Sequence, residues 1–79
     1  MGEHGILGVK NWRQQKGITL ESIAAATKLS VSQLDAIESG NFKRLPGGIY
    51  NTSYIRQYAQ AIGFDEKNLL SFYRQVFAA

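Results

Sequence analysis

The sequence predicts an all-α fold of five short helices in one compact domain, for three reasons. Apolar residues recur at helical spacing in successive stretches, and no stretch alternates as a strand does. Gly17, Gly40 and Gly63 each follow such a stretch, where a glycine commonly ends a helix. The sequence contains only one proline, the residue that interrupts helices. Its 79 residues are enough for a single domain over residues 1–79, and because there is no cysteine, packing alone must stabilise that domain.

The first two predicted helices cover residues 6–16 and 20–26. One face of the first helix carries the apolar residues Ile6, Val9 and Trp12. Thr19 is a favourable N-cap for the second helix, and Glu21 places an anion in its first turn, where the helix dipole favours negative charge.

The third predicted helix begins after Ser30 and ends at Gly40. Ser30 and Gln33 have the spacing of a capping box, in which each side chain bonds to the other residue's backbone N–H. The expected buried stripe consists of Val31, Leu34 and Ile37, with Glu38 on the same side. The opposite face is expected to carry Ser32, Gln33, Asp35, Ala36 and Ser39.

Together, the second and third helices predict a helix-turn-helix unit over residues 20–39. The four-residue turn 27–30 has the length this motif requires, and Leu29 is expected to fill its inner side. The loop 41–48 contains Phe42 and Leu45, and we therefore expect it to pack against the core.

Two more helices are predicted over residues 48–62 and 66–77. In the fourth, Tyr58 lies nearest the apolar centre, which consists of Ile55, Ala59 and Ile62. Tyr50 and Tyr54 fall on the flank beside Gln57 and are expected to be at least half exposed. Asp65 is expected to cap the fifth helix, whose apolar positions are Leu69, Phe72, Tyr73 and Val76.

Two stretches carry a resemblance to known families. The sequence LDAIESG over residues 34–40 resembles the end of the third helix in the lambda-repressor-like (Xre-type) superfamily, although Lys28 stands where that turn usually has glycine. The later pattern is similar to the N-terminal cytoplasmic helix-turn-helix domain of the RodZ family of bacterial cell-shape proteins. It comprises Leu45-Pro46-Gly47, Tyr50, Tyr54-Ile55-Arg56, Tyr58-Ala59 and Gly63.

The RodZ-like resemblance implies a docking partner, the actin-like filament protein MreB. Tyr50 and Tyr54 match the two aromatic positions that contact MreB in that family. Gln57 lies beside them, and Arg56 is either a rim contact or a residue that serves only solubility. The resemblance also implies a cytoplasmic location, as part of a single-pass inner-membrane protein whose membrane helix lies outside this chain.

The alternative function is a DNA-binding transcriptional regulator of the Xre type. Ser32 and Gln33 would then read base edges in double-stranded DNA, and the phosphate contacts would come from Lys28, Lys43 and Arg44. The net charge of +3 is a weak signal, because the cations are scattered. Asp35 would also bring an anion toward phosphates, so docking through the fourth helix is the leading hypothesis. Use of both surfaces is a third possibility.

Arg13 and Glu38 are expected to form a structural ion pair. Glu38 lies on the core side of the third helix, and an equivalent pair occurs in lambda-like domains. The pair would fix the angle between the first and third helices. We favour this role over one in recognition.

Nothing in the sequence points to an enzyme. His4 is the only histidine and there is no cysteine, so we expect no metal site, no cofactor and no small-molecule substrate. No apolar run approaches the roughly 20 residues that cross a bilayer, and no signal peptide is evident, so the chain is expected to be soluble as it stands.

Overall fold

The computed structural model describes the backbone of residues 7–78 and the side chains of residues 7–76. This part of the chain is all-helical, which confirms the predicted five-helix fold class. The α-helices are α1 (Val9–Gln15), α2 (Leu20–Ala26), α3 (Val31–Ser39), α4 (Ile49–Ile62) and α5 (Glu66–Tyr73). A 3₁₀ turn over Phe42–Arg44 precedes α4, and a π-helical turn over Arg74–Ala78 follows α5.

Side chains at the helix ends satisfy the backbone groups that a helix leaves open. The predicted capping box is confirmed: the Gln33 N–H donates to Ser30 Oγ at 3.1 Å, and the Ser30 N–H donates to Gln33 Oε1 at 2.9 Å. Thr19 and Asp65 cap α2 and α5 as expected. Gly40 ends α3 with φ of 76°, a left-handed conformation that glycine adopts without a Cβ penalty.

The turn between α2 and α3 forms without the usual glycine. Thr27 Oγ1 donates to the Ile23 carbonyl at 2.8 Å and accepts the Leu29 N–H at 3.1 Å. Leu29 is buried as expected, whereas Lys28 is exposed and is not among the described residues with positive φ. Because no left-handed residue is needed at this turn, lysine is tolerated at position 28.

The core lies between the two halves of the domain, α2 packing on α3 and α4 on α5. Its most deeply buried apolar members include Val9, Ile23, Leu34, Ile37, Ile55, Tyr58, Ala59, Ile62 and Leu69. Two expectations for α3 are wrong. Val31 is 38% exposed, because it stands at the first position of the helix, and Ala36 is fully buried. The chain folds back beside Ala36, whose carbonyl accepts the Asn41 N–H at 2.9 Å.

The loop that follows α3 packs against the core, as predicted. Phe42 and Leu45 are buried, and the Phe42 ring meets that of Tyr73 edge-on, with 5.0 Å between centroids. This packing holds the segment between α3 and α4 in place and so fixes where α4 begins.

The apolar stripes of the terminal helices are less buried than the sequence suggested. Ile6 lies outside the described residues, and Trp12 is 40% exposed at the domain edge, where its Nε1 donates to the Ile62 carbonyl at 2.7 Å. Val76, expected on the buried stripe of a helix reaching residue 77, is exposed. The wider π-helical turn after Tyr73 moves Val76 out of the α-helical register.

We expect Ser30→Ala to lower the free energy of unfolding by about 1 kcal/mol, because α3 loses a side-chain N-cap. Urea denaturation followed by circular dichroism measures the change. Ser71→Ala is the matched control, since Ser71 is exposed within α5 and caps no helix. An equal stability for the two variants would contradict the assigned cap.

Candidate partner-binding surface

The start of α4 is held by a buried amide. Asn51 is fully buried; its Oδ1 accepts the Gly47 N–H at 2.8 Å and its Nδ2 donates to Tyr73 Oη at 3.2 Å. Gly48 precedes the helix with φ of 63° and ψ of −149°, a conformation open essentially to glycine. The first turn of α4 is therefore tied both to the loop before it and to α5.

Tyr50 and Tyr54 lie next to each other on the outer side of α4. Their rings stack at 27°, with 6.3 Å between centroids. Tyr50 is 59% exposed, in line with the expectation from sequence. Tyr54 is less exposed than expected, because one side of its ring packs against the core. The pair therefore combines an exposed ring, that of Tyr50, with a ring that packs against the core, that of Tyr54.

Gln57 and Arg56 occupy different sides of the helix. At about 100° per residue, Tyr50, Tyr54 and Gln57 fall within about 60° of one another. The Gln57 amide, half-buried, donates to Ser53 Oγ at 3.3 Å on this side. Arg56 is rotated about 160° from Tyr54, and its Nε lies 3.8 Å from Glu66 Oε2. The structure thus groups the two tyrosines with Gln57 and sets Arg56 apart.

Two residues of the alternative DNA-reading surface, Ser32 and Arg44, are hydrogen-bonded to each other. Arg44 Nη2 donates to Ser32 Oγ at 2.7 Å, and Arg44 Nη1 lies 3.4 Å from Asp35 Oδ2. Gln33 uses its Oε1 in the capping box. A guanidinium therefore does lie across the outer face of α3, but its donors are directed at this chain's own side chains.

Lys28 and Lys43 are both exposed. In the sequence, Lys28 precedes α3 and Lys43 follows it. Within residues 7–76, neither lysine is hydrogen-bonded or ion-paired with Ser32, Gln33 or Arg44. The pairing of Arg44 with Asp35 is itself exposed, with 42% and 54% of the two side chains accessible, so it contributes little to stability.

A buried polar network joins three helices beneath these surfaces. Arg13 of α1 donates through both Nε and Nη2 to the Glu38 carboxylate of α3. Tyr58 of α4 donates its hydroxyl to Glu38 Oε2 at 2.7 Å. Arg13 Nη1 also donates to the Ile18 carbonyl at 2.7 Å. The structure therefore brings together the ion pair expected from sequence and adds Tyr58 to it.

The pKa values of two members of this network, Arg13 and Tyr58, are raised. The hydrogen bond to Glu38 raises the pKa of the Arg13 guanidinium above its ordinary value, against the opposing effect of burial. Burial, with the hydrogen bond to Glu38 second, raises the pKa of the Tyr58 hydroxyl well above its usual value of 10.0. Arg13 therefore stays charged and Tyr58 neutral across physiological pH.

Sequence reasoning missed Asn51 and Ile49. The signal for Asn51 was present, because a helical wheel places it between Tyr58 and Ile62, on the apolar side of α4. A polar residue at such a position needs a partner, and Gly47 and Tyr73 provide it. Ile49 is 81% exposed, which its apolar side chain gave no reason to expect.

The described part of the chain shows no sign of a metal centre or a membrane helix. No three residues among histidine, cysteine, aspartate and glutamate come together there to bind an ion. None of the helices described is both long and apolar enough to traverse a bilayer.

Comparison with known proteins gives a family match and two relatives. The family described as "Helix-turn-helix domain" matches residues 9–69. The "Uncharacterized membrane protein YmfM" of Bacillus subtilis is 36% identical over 58 residues, 73% of this chain and 20% of the relative. The "Cytoskeleton protein RodZ" of Streptococcus pneumoniae is 30% identical over 61 residues, 77% of this chain and 22% of the relative. The chain thus spans about a fifth of each relative's length. No solved structure matches it significantly.

We expect Tyr58→Phe to lower the free energy of unfolding at neutral pH by about 2 kcal/mol, because the Glu38 carboxylate loses a buried donor. The variant also changes the alkaline response. Because the folded-state pKa of Tyr58 exceeds the unfolded value, its contribution is complete below pH 10 and is lost as the pH rises above 10.

Urea denaturation from about pH 9 to about pH 12 measures this response, which should be steeper for the parent than for Tyr58→Phe. Tyr50→Phe is the matched control, because it removes a hydroxyl from an exposed ring. Identical slopes for parent and Tyr58→Phe would show that Tyr58 is not the group responsible.

Proposed function

The chain belongs to the helix-turn-helix family, with a domain of the RodZ-like type, and we propose that it is a non-catalytic module that docks an MreB-like actin filament protein. The supporting observation is the stacked pair on α4, in which Tyr50 is exposed and Tyr54 is partly buried. Tyrosine combines an apolar ring with a polar tip and is enriched among residues that dominate binding energy.

Three features of α4 support this assignment of the surface. Tyr50 is exposed yet oriented by its neighbour's ring, so little side-chain freedom is lost when it binds. The hydrogen bonds of the buried Asn51 hold the first turn of α4, which carries Tyr50, in place. Gln57, on the same side, adds a polar group that a partner can satisfy at the edge of the aromatic pair. Arg56, paired with Glu66, is a rim residue at most.

The location we propose is the cytoplasmic side of the membrane, within a longer membrane protein. The support is that the YmfM relative is named a membrane protein and that RodZ is named a cytoskeleton protein. A domain tethered near the membrane and presenting α4 would link the membrane to filaments that lie along it.

The second candidate function is DNA binding through α3. The observation that favours it is Arg44, whose guanidinium lies against Ser32 on the outer face of that helix. A phosphate could replace Asp35 as the partner of Arg44, with Lys28 and Lys43 as additional cations. The proposed protein-binding surface lies on α4 and the DNA-binding surface on α3. Use of one therefore does not exclude use of the other.

We expect Tyr50→Ala and Tyr54→Ala each to weaken binding to polymerised MreB by about 30-fold, equivalent to about 2 kcal/mol. Co-sedimentation of the purified chain with filaments measures the dissociation constant. Tyr50→Phe keeps the ring and should retain most of the affinity.

Tyr54 also supports the core, so its alanine variant needs a check of folding by circular dichroism. Tyr50 has no such role, and its variant is the decisive one. Parent affinity in Tyr50→Ala and in folded Tyr54→Ala would remove the basis of the proposal.

A salt titration against duplex DNA separates the two candidates. If Lys28, Lys43 and Arg44 each neutralised one phosphate, affinity would fall about 40-fold between about 0.05 M and about 0.2 M salt. We expect no sequence-specific binding near physiological salt, because the donors of Arg44 are directed at Ser32 and Asp35. Fluorescence anisotropy with labelled duplexes measures it. Specific binding with that salt dependence, reduced in Lys43→Gln, would favour the regulator instead.

A further inference from the structure

Ile49 is the most exposed large apolar residue in the described part of the chain. Its side chain is 81% accessible, against 59% for Tyr50 and 38% for Val31. A single exposed apolar residue is ordinary on a protein surface, but Ile49 directly precedes Tyr50, whose exposed ring stacks on that of Tyr54. Together they make the start of α4 the most apolar part of this helix's outer side.

The position of Ile49 is rigid. It is the first residue of α4, immediately after Gly48, and its carbonyl accepts the Thr52 hydroxyl at 3.0 Å. Asn51, two residues later, bonds to Gly47 on one side and to Tyr73 on the other. A β-branched side chain also has few χ1 rotamers, so Ile49 would lose little entropy on being buried by a partner.

Ile49 and Tyr54 bound a face of α4 to which the helix itself contributes no charged side chain. At about 100° per residue the arc from Ile49 to Tyr54 spans about 140°, and within it lie Tyr50, Ser53, Gln57, Gln60 and Ala61. Gln60 Nε2 donates to Glu66 Oε1 of α5 at 3.0 Å, so one carboxylate borders the face at the end away from Ile49. The sequence of α4 contains one charged residue, Arg56. It lies just past the Ile49 edge, two turns along the helix, and its Nε approaches Glu66 on α5.

We infer that Ile49 is a third anchor of the α4 interface, and that the filament protein receives Ile49 and Tyr50 in an uncharged, apolar hollow. This inference rests on the proposed function. A charged pocket would leave its own charge desolvated against Ile49 and the tyrosine rings without a counter-ion, which is unfavourable. An apolar hollow instead buries Ile49 and gains the free energy of removing it from water.

Two measurements with polymerised MreB test the inference. Ile49→Ala should weaken binding by about tenfold, because most of the apolar surface of the anchor is removed. Ile49→Lys should weaken it further, because the hollow would then have to accept an unpaired ammonium. The parent dissociation constant should change by less than about threefold between about 0.05 M and about 0.5 M salt, since α4 contributes no charged residue to the face.

Val31→Ala is the matched control. Val31 is likewise β-branched, exposed and first in its helix, but it lies on α3. It should bind as the parent does. Because Ile49 is almost fully accessible, its variants should fold normally, which circular dichroism and the urea midpoint verify.

The outcomes separate this inference from the function on which it rests. Parent-like binding by Ile49→Ala alongside weakened binding by Tyr50→Ala overturns the role of Ile49 and leaves docking through the tyrosines intact. Tighter binding by Ile49→Lys, or a steep loss of affinity with salt, indicates an acidic hollow and overturns its assigned chemistry. Absence of binding by the parent overturns both proposals.

Discussion

The hydrogen-bonded network of Arg13, Glu38 and Tyr58 is the constraint on which the domain depends. A carboxylate that is almost fully buried requires a cation and further donors, and here they come from α1 and α4. Because each member belongs to a different helix, the network can be satisfied only when α1, α3 and α4 are correctly placed. Removing Arg13 or Glu38 would leave the other charge buried and uncompensated, at a cost of about 3–5 kcal/mol. The network therefore fixes which side of α4 is turned outward.

The two outer surfaces of the domain differ in physical character. On α3, some polar groups are engaged in local bonds: Arg44 donates to Ser32, and Gln33 completes a helix cap. A ligand that recruits these groups must first break the bonds they already make. On α4, by contrast, apolar side chains stand exposed with their backbone already fixed by Asn51. A partner there displaces only water. This difference in reorganisation favours α4 as the interface of a protein in the RodZ-like family.

Local chemistry was sufficient to predict most of the fold. The capping box at Ser30 and the end of α3 at Gly40 depend on residues at most five positions apart in the chain, and both are present. Errors arose where other segments cover a helix face. Ala36 is fully buried although a helical wheel puts it on the outer face of α3, and Tyr54 is partly buried because it packs against the core. The burial of Asn51 could not be predicted without knowing that its amide bonds to Tyr73, 22 residues away. A helical wheel shows the faces of one helix and not what covers them.

The Asn51 side chain connects the beginning of α4 to the end of α5, where the π-helical turn over Arg74–Ala78 starts. The two ends cannot separate unless the Asn51 amide loses its partner, which costs about 1–3 kcal/mol while the amide stays buried. The outer face of α4 is thus positioned by α5 as well as by the loop that precedes it.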